Sequence, residues 1–187
     1  MEARAEAMQA ADPIADLIRE GRHREAAARC AREHGAAVGR LCMALLGDQA
    51  EAEETVQETL IAAHDAMGAF RGEGSVRAWL YGIARRKCAR KLEMRLRRQR
   101  RLRLVHDAEA AAAPDELLEA QRRAERVRSA LEQLKPSERD AVVLRYTAGL
   151  GYREIGEACG IDEAAARKRV SRALARMRNL LSDEGGR

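Results

Sequence analysis

The sequence predicts an all-α chain of two small helical modules joined by a short linker. Three observations lead there. Alanine, leucine and arginine dominate the composition, which favours helix. Apolar residues recur at spacings of three and four through most of the chain, and no stretch reads convincingly as a strand. Between residues 105 and 115 that periodicity lapses into an alanine-rich stretch holding Pro114. A length of 187 residues suits one large domain or two small ones, and the lapse favours two. The division is a tail over 1–12, a module over 13–104, a linker over 105–115 and a second module over 116–187.

The elements follow in order. Ile14, Leu17 and Ile18 open a helical pattern, with Asp12 placed to cap it and Pro13 suited to its first position. Gly21 breaks it. The period resumes from Ala26 to Leu46 through Cys30, His34, Val38, Leu41, Cys42 and Leu45, and Gly47 stops it. Asp48 caps the next helix, whose apolar positions include Val56, Leu60, Ile61 and Met67. Gly68–Ser75 is a loop, and Val76 to about Leu104 a long helix. The second module opens near Asp115, with Leu117, Leu118, Val127, Leu131 and Leu134 marking its first helix. Pro136 starts another, through Val142, Val143, Leu144 and Tyr146. Gly149–Gly151 is a turn, Tyr152–Ala158 a short helix, Cys159–Ile161 a tight turn, and Asp162 to about Leu181 the last helix.

Composition excludes several classes. Aromatics are only 3%, so the cores must be mainly aliphatic. Cys30, Cys42, Cys88 and Cys159 lie far apart with no CxxC spacing, which suits reduced core thiols in a cytosolic protein. No apolar run nears the roughly 20 residues that span a bilayer, and the acidic, alanine-rich start is no signal peptide. Cys30 and His34 stand four apart with His23 upstream, but a further ligand is lacking, so no metal is expected. No phosphate loop, HExxH or nucleophile–base motif is present. Neither a cofactor nor enzymatic activity is expected.

Charge is distributed in two poles. From Asp48 to Glu58 the chain carries five acids and no base; from Arg85 to Arg103 it carries eleven bases and one acid. Such a layout suggests one module with two partners, one basic and one a polyanion. Acids at a helix N-terminus also complement its macrodipole, which accounts for Asp48 and Glu51 but poorly for Glu58. The basic helix is either a solvated face or a nucleic-acid surface, and eleven bases with so little compensation repel one another unless an anion is bound. Trp79 and Tyr81, just upstream, have two readings: platforms for unpaired bases, or the large rings of the core.

The C-terminal end has the make-up of a helix-turn-helix. Gly156 is the small residue of the first helix, Gly160 sits in the turn, and Ile155, Ile161 and Val170 are placed to lock the pair. Asp162 can accept from the free amides of the following helix. Arg167, Lys168, Arg169, Arg172, Arg176 and Arg178 follow, some suited to guanine edges and others to phosphate.

Several motifs, taken in order, resemble a known family. Glu51-Ala52-Glu53-Glu54-Thr55-Val56-Gln57-Glu58-Thr59-Leu60 is similar to D-A-E-D-L-V-Q-E-T-F. Phe70-Arg71-Gly72 with Trp79-Leu80-Tyr81-Gly82-Ile83-Ala84-Arg85 is similar to F-R-G followed by W-L-Y-R-I-A-R. Leu134-Lys135-Pro136, Leu144-Arg145-Tyr146 and Gly149-Leu150-Gly151-Tyr152-Arg153-Glu154-Ile155-Gly156 are similar to L-P, L-R-Y and G-L-S-Y-x-E-I-A. Over Ile14–Arg103 and Leu117–Leu181 the chain resembles bacterial RNA polymerase sigma factors of the extracytoplasmic-function type, group IV. These have a region 2 bundle and a region 4 helix-turn-helix and lack a middle region.

The resemblance implies roles. Asp48, Glu51, Glu53, Glu54, Val56, Gln57 and Glu58 would dock on the clamp helices of the polymerase's largest subunit, with the flap as a second contact. Phe70, Arg71, Gly72, Ser75, Trp79, Arg85, Arg86, Lys87 and Arg90 would hold the melted minus-ten strand. Arg153, Ala165, Arg167, Lys168, Arg169, Arg172 and Arg176 would read the minus-thirty-five duplex. The linker would thread toward the active-site and RNA-exit channels. An anti-sigma protein is a further partner, and no membrane is. Three departures make the DNA-facing surfaces more basic or less polar than the pattern. Arg86 replaces an asparagine, Arg90 stands where aspartate is common, and Ala164-Ala165-Ala166-Arg167-Lys168-Arg169 replaces G-T-V-K-S-R. Two other classes remain: a stand-alone helix-turn-helix regulator, and a sigma-like protein that binds polymerase or an anti-sigma factor without opening promoters.

Overall fold

A computed structural model of the chain describes residues 12–72, 74–102 and 117–183. The tail ahead of Asp12 and the linker over 105–115 lie outside the described residues. The rest is helical: α1 (Pro13–Arg19), α2 (His23–Leu46), α3 (Gln49–Ala66), a 3-10 turn (Met67–Ala69), α4 (Val76–Leu102), α5 (Leu117–Glu132), α6 (Pro136–Tyr146), α7 (Tyr152–Cys159) and α8 (Glu163–Asp183). No strand occurs among the described residues, and the fold is all-α.

Local chemistry sets most boundaries. The Asp12 carboxylate accepts from the amides of Ile14 and Ala15, and Pro13 occupies the first turn of α1. Gly47 ends α2 with φ 70°, a left-handed conformation that a Cβ would strain. Asp48 then caps α3 through the Glu51 amide at 2.8 Å. Ser75 Oγ accepts the Ala78 amide at 3.0 Å at the head of α4. Gly68 and Ala69, read as loop, form a 3-10 turn continuing α3.

In the first module α2, α3 and α4 pack on one another and α1 lies on α2. Val38, Leu41, Cys42, Leu45, Val76, Leu80, Tyr81 and Cys88 are buried there, with Ile14 and Ile18 of α1. Thr55 and Thr59 are buried polar residues, and each hydroxyl donates to the carbonyl four residues back, at 2.6 Å, so neither is left unsatisfied. In the second module α6 and α7 pack on α8 through Val142, Val143, Ile155, Ala166, Val170 and Ala173, and α5 covers another part of α8. The modules also touch each other: α4 meets α7 and α6, and α2 meets α6.

Three positions read as apolar stripe do not face a core. Ile61 is 63% exposed, Val127 37% and Tyr146 64%. Helical periodicity identifies a face but not whether anything covers it. Tyr81 is fully buried, which settles its two readings in favour of the core.

Candidate polymerase and nucleic-acid interfaces

Helix geometry splits the acidic pole of α3 into separate stripes. Glu51, Glu54 and Glu58 face α4 and meet its bases. Glu51 pairs with Arg95, Glu54 with Lys91, and Glu58 with Lys87 at 3.5 Å and Lys91 at 3.4 Å. Arg95 also donates to the Leu46 carbonyl at 3.0 Å, closing the C-terminal end of α2. Part of the charge on the basic helix is therefore compensated from within, contrary to the reading of an uncompensated run. The two poles lie far apart in sequence but on adjacent helices.

A second stripe of α3 points outward. Glu53, Gln57 and Ile61 recur every four residues and are exposed; Glu53 accepts from Gln49 at 2.9 Å and makes no ion pair among the described residues. Val56 faces inward, 3.8 Å from the position a Cβ would take on Gly39 of α2. Asp48 is committed to its cap. Of the seven residues assigned to docking, Glu53 and Gln57 are therefore the acidic and polar side chains left free to meet a partner. Ile61 extends their stripe, and its exposure gives a signal that periodicity had hidden.

The second surface is the loop and α4. Phe70 and Trp79 pack with ring centroids 5.0 Å apart, tilted by 52°. Gly72 turns the loop at φ 72°, and Arg71 is exposed. Trp79 is half-buried, so it both packs on the core and borders a groove between α3 and α4. Ala62, Ala66 and Ile83 help floor that groove, with Arg86 and Arg90 at its rim. An aromatic edge beside paired guanidiniums can receive an unstacked base and its phosphate. Partial burial, and then Arg85 next to it, lower the Arg86 guanidinium from its usual range; it remains cationic. Lys87 is turned toward Glu58. Arg85 is drawn the other way, donating to Asp140 of α6 at 2.9 Å.

The third surface is α7, the turn and α8. Gly160 ends α7 in the left-handed region, and Asp162 accepts the Ala165 amide at 2.6 Å. A Cβ on Gly156 would lie 2.6 Å from the Ile161 carbonyl oxygen, so only glycine permits this turn. The Glu154 carboxylate accepts from the Gly151 amide at 2.8 Å, capping α7. Tyr152 lies between the guanidiniums of Arg145 and Arg167, 4.9 and 4.6 Å from its ring centre. Lys168 and Arg172 are exposed one turn apart, with Arg172 Nε donating to the Lys168 carbonyl at 3.4 Å. The other assigned residues are less free. Arg167 pairs with Glu163 at 2.8 Å, Arg153 with Glu157 at 3.3 Å, and Arg176 with the buried Glu138 at 3.2 Å. Arg169 and Ala165 are half-buried. Sequence reasoning missed the buried acids Glu138 and Asp140 and the role of Arg77, which donates to the Ala148 carbonyl at 2.5 Å. The available signal was weak: Asp140 directly precedes the apolar run Ala141–Leu144 of α6.

No helix among the described residues is long and apolar enough to cross a membrane. No cluster of metal-ligating side chains is found among them.

Comparison with known proteins agrees with this architecture. Residues 30–102 match Sigma-70 region 2, and residues 124–177 match Sigma-70 region 4. The RNA polymerase sigma factor CarQ of Myxococcus xanthus is 34% identical over 137 residues, covering 71% of this chain and 75% of CarQ. The extracytoplasmic-function sigma factor SigE of Mycolicibacterium smegmatis is 32% identical over 158 residues, covering 81% of this chain but 60% of SigE. Among solved structures, the sigma factor RpoE of Bartonella quintana, in complex with the anti-sigma factor NepR, is 26% identical. It superposes with a TM-score of 0.62 over 82% of this chain and 95% of RpoE. On its two regions, their order and these relatives, the chain belongs to the extracytoplasmic-function family of RNA polymerase sigma factors.

Proposed function

We propose that the chain binds core RNA polymerase through the outward stripe of α3 and directs promoter recognition and opening. The 70–75 loop and α4 hold the melted minus-ten strand, and α8 reads the minus-thirty-five duplex. One observation carries this reading: a groove with an aromatic edge and a basic rim and a helix-turn-helix with a basic reading helix belong to one chain that also has a polar docking stripe. A stand-alone regulator needs only the second of these. Opening DNA costs a few kcal/mol per flipped base, and capture of the unstacked strand offsets it without a catalytic step. The work is done in the cytoplasm, and an anti-sigma partner such as the one in the RpoE complex is part of the proposal.

The test is transcription by core polymerase plus the purified chain on fragmented genomic DNA of the host, with RNA 5′ ends mapped. Chain-dependent starts preceded by a shared pair of elements support the proposal. Starts that appear only on pre-melted templates limit the chain to strand capture, and no chain-dependent starts on either contradicts it.

A further inference from the structure

Two of the four cysteines meet inside the first module. Cys42 lies on α2 and Cys88 on α4, and both are fully buried. Helix register brings them together. α2 and α3 are joined by Gly47 and Asp48 alone and pack on each other, so they run antiparallel. The pairs Glu51–Arg95, Glu54–Lys91 and Glu58–Lys87 set α3 and α4 antiparallel as well. α2 and α4 therefore run the same way, and the 3.0 Å bond from Arg95 to the Leu46 carbonyl sets them level. Cys42 is one turn back from Leu46, and Lys91 and Cys88 are one and two turns back from Arg95. There the Cys88 thiol donates to the Cys42 sulfur. Cys30, the other buried thiol of α2, lies about 18 Å away along the helix.

The contact gives the two thiols different characters. The hydrogen bond from Cys88 lowers Cys42, burial opposes it, and the Lys91 ammonium adds to the lowering. Cys88 is raised by the same bond and by burial. One sulfur is the readier nucleophile and the other holds its proton, an arrangement that suits closure to a disulfide. Lys91 links the pair to the surface. It is tied to Glu54, lies 3.4 Å from Glu58, and its side chain is 13% exposed. Neither the docking stripe nor the strand-binding groove uses these two sulfurs.

We infer that Cys42 and Cys88 form a redox modification site that takes a small peroxide as oxidant and closes to a disulfide between α2 and α4. The Cys42 thiolate attacks one oxygen of hydrogen peroxide and the O–O bond breaks. Cys42 becomes a sulfenic acid, and the leaving hydroxide takes up the proton that Cys42 had released, giving water. The Cys88 sulfur then attacks the Cys42 sulfur, the S–O bond breaks, and a second water leaves with the Cys88 proton. The two sulfurs are oxidised by two electrons in all, and the peroxide is reduced to two waters. A dithiol reductant reverses the bond by exchange. Because both sulfurs are buried, the reaction waits on local opening of α4 from α2, which admits a small oxidant and slows a bulky reagent. The bond closes a loop of roughly 46 residues, so the oxidised first module is stapled against unfolding.

The experiment uses the full chain carrying Cys159→Ser, so that no exposed thiol couples two molecules. Reduced protein is treated with hydrogen peroxide, then denatured and alkylated, and its intact mass and peptides are read. The expected result is a protein alkylated at Cys30 alone, with Cys42 and Cys88 recovered in one cross-linked peptide. Its urea midpoint rises by about 1 M over the reduced form and returns when dithiothreitol is added. In Cys88→Ala/Cys159→Ser the Cys42 sulfenic acid persists and is trapped by dimedone, which identifies Cys88 as the thiol that closes the bond. Full alkylation of Cys42 and Cys88 at peroxide levels that already convert exposed methionines to sulfoxides overturns the site. So does a cross-link that lowers the urea midpoint, because the sulfurs then meet only by distorting the helices. Dimedone labelling of Cys42 that is no greater without Cys88 overturns the assigned roles. The mass reading needs no core substitution, so it decides even where Cys88→Ala does not fold.

Discussion

Asp140 of α6 accepts from Arg85 of α4 at 2.9 Å, joining the two modules across 55 residues of sequence. Burial raises the Asp140 carboxyl above its usual range even with the guanidinium beside it. Desolvation therefore outweighs the attraction, and the pair fixes which surfaces meet more than it adds net stability. Asp140→Ala removes the acceptor and leaves a largely buried guanidinium uncompensated. It should lower stability by about 3 kcal/mol. Adding Arg85→Ala should recover part of that loss, and urea unfolding of the single and double variants measures the coupling.

Gly156 and Gly35 make opposite predictions. At Gly156 a Cβ would press on the Ile161 carbonyl, and Gly156→Ala should cost about 1–3 kcal/mol and reduce duplex binding by spreading the helix-turn-helix. At Gly35, inside α2, nothing lies within 4 Å of the new Cβ, so Gly35→Ala should gain about 0.5–1 kcal/mol. Melting temperatures of the two variants should move in opposite directions.

His34 gives the stability a defined pH dependence. Burial, above all, lowers its pKa below the usual 6.5; Arg77 adds to that, and Glu33 and Asp12 partly oppose it. The unfolded chain takes up a proton at His34 more readily than the folded one. Its contribution to stability is therefore fully present above pH 6.5 and is lost as pH falls through the window between 6.5 and the depressed folded value. His34→Gln should flatten unfolding free energy measured across that window.

The thiols should be slow to react. Cys30, Cys42 and Cys88 are fully buried. Burial pushes the Cys30 thiol up to about 11, and contact with Cys42 together with burial raises Cys88. Cys159 is partly exposed, but burial raises it as well. A thiol reagent at pH 7.5 should label native protein slowly, with Cys159 first, and label all four after denaturation.

Boundaries were legible in the sequence because their chemistry is local. Asp12 with Pro13, Gly47 with Asp48, and Gly160 with Asp162 each act within a few residues. The motifs likewise carried the family, since they depend on order and spacing alone. What stayed hidden were contacts between residues far apart in the chain. Nothing near Glu54 announces Lys91, and nothing near Arg176 announces Glu138. Ile61 and Tyr81 show the same limit. Both sit in apolar patterns, but one is exposed and the other buried because of what neighbouring helices cover. Glu51, Glu54 and Glu58, three of the five candidate docking acids, proved to be internal partners of α4 for the same reason.

The outward stripe of α3 is the most direct point of attack on the proposed function. Co-purification with core RNA polymerase at moderate salt should compare wild type, Glu53→Lys/Gln57→Ala, Ile61→Glu, and the helix-facing Glu54→Gln. Wild type should form a stable complex, weakened at least tenfold (about 1.4 kcal/mol) by either change on the outward stripe and little affected by Glu54→Gln. Failure of wild type to bind core polymerase, or equal binding by all four proteins, would rule out the outward stripe as the docking surface.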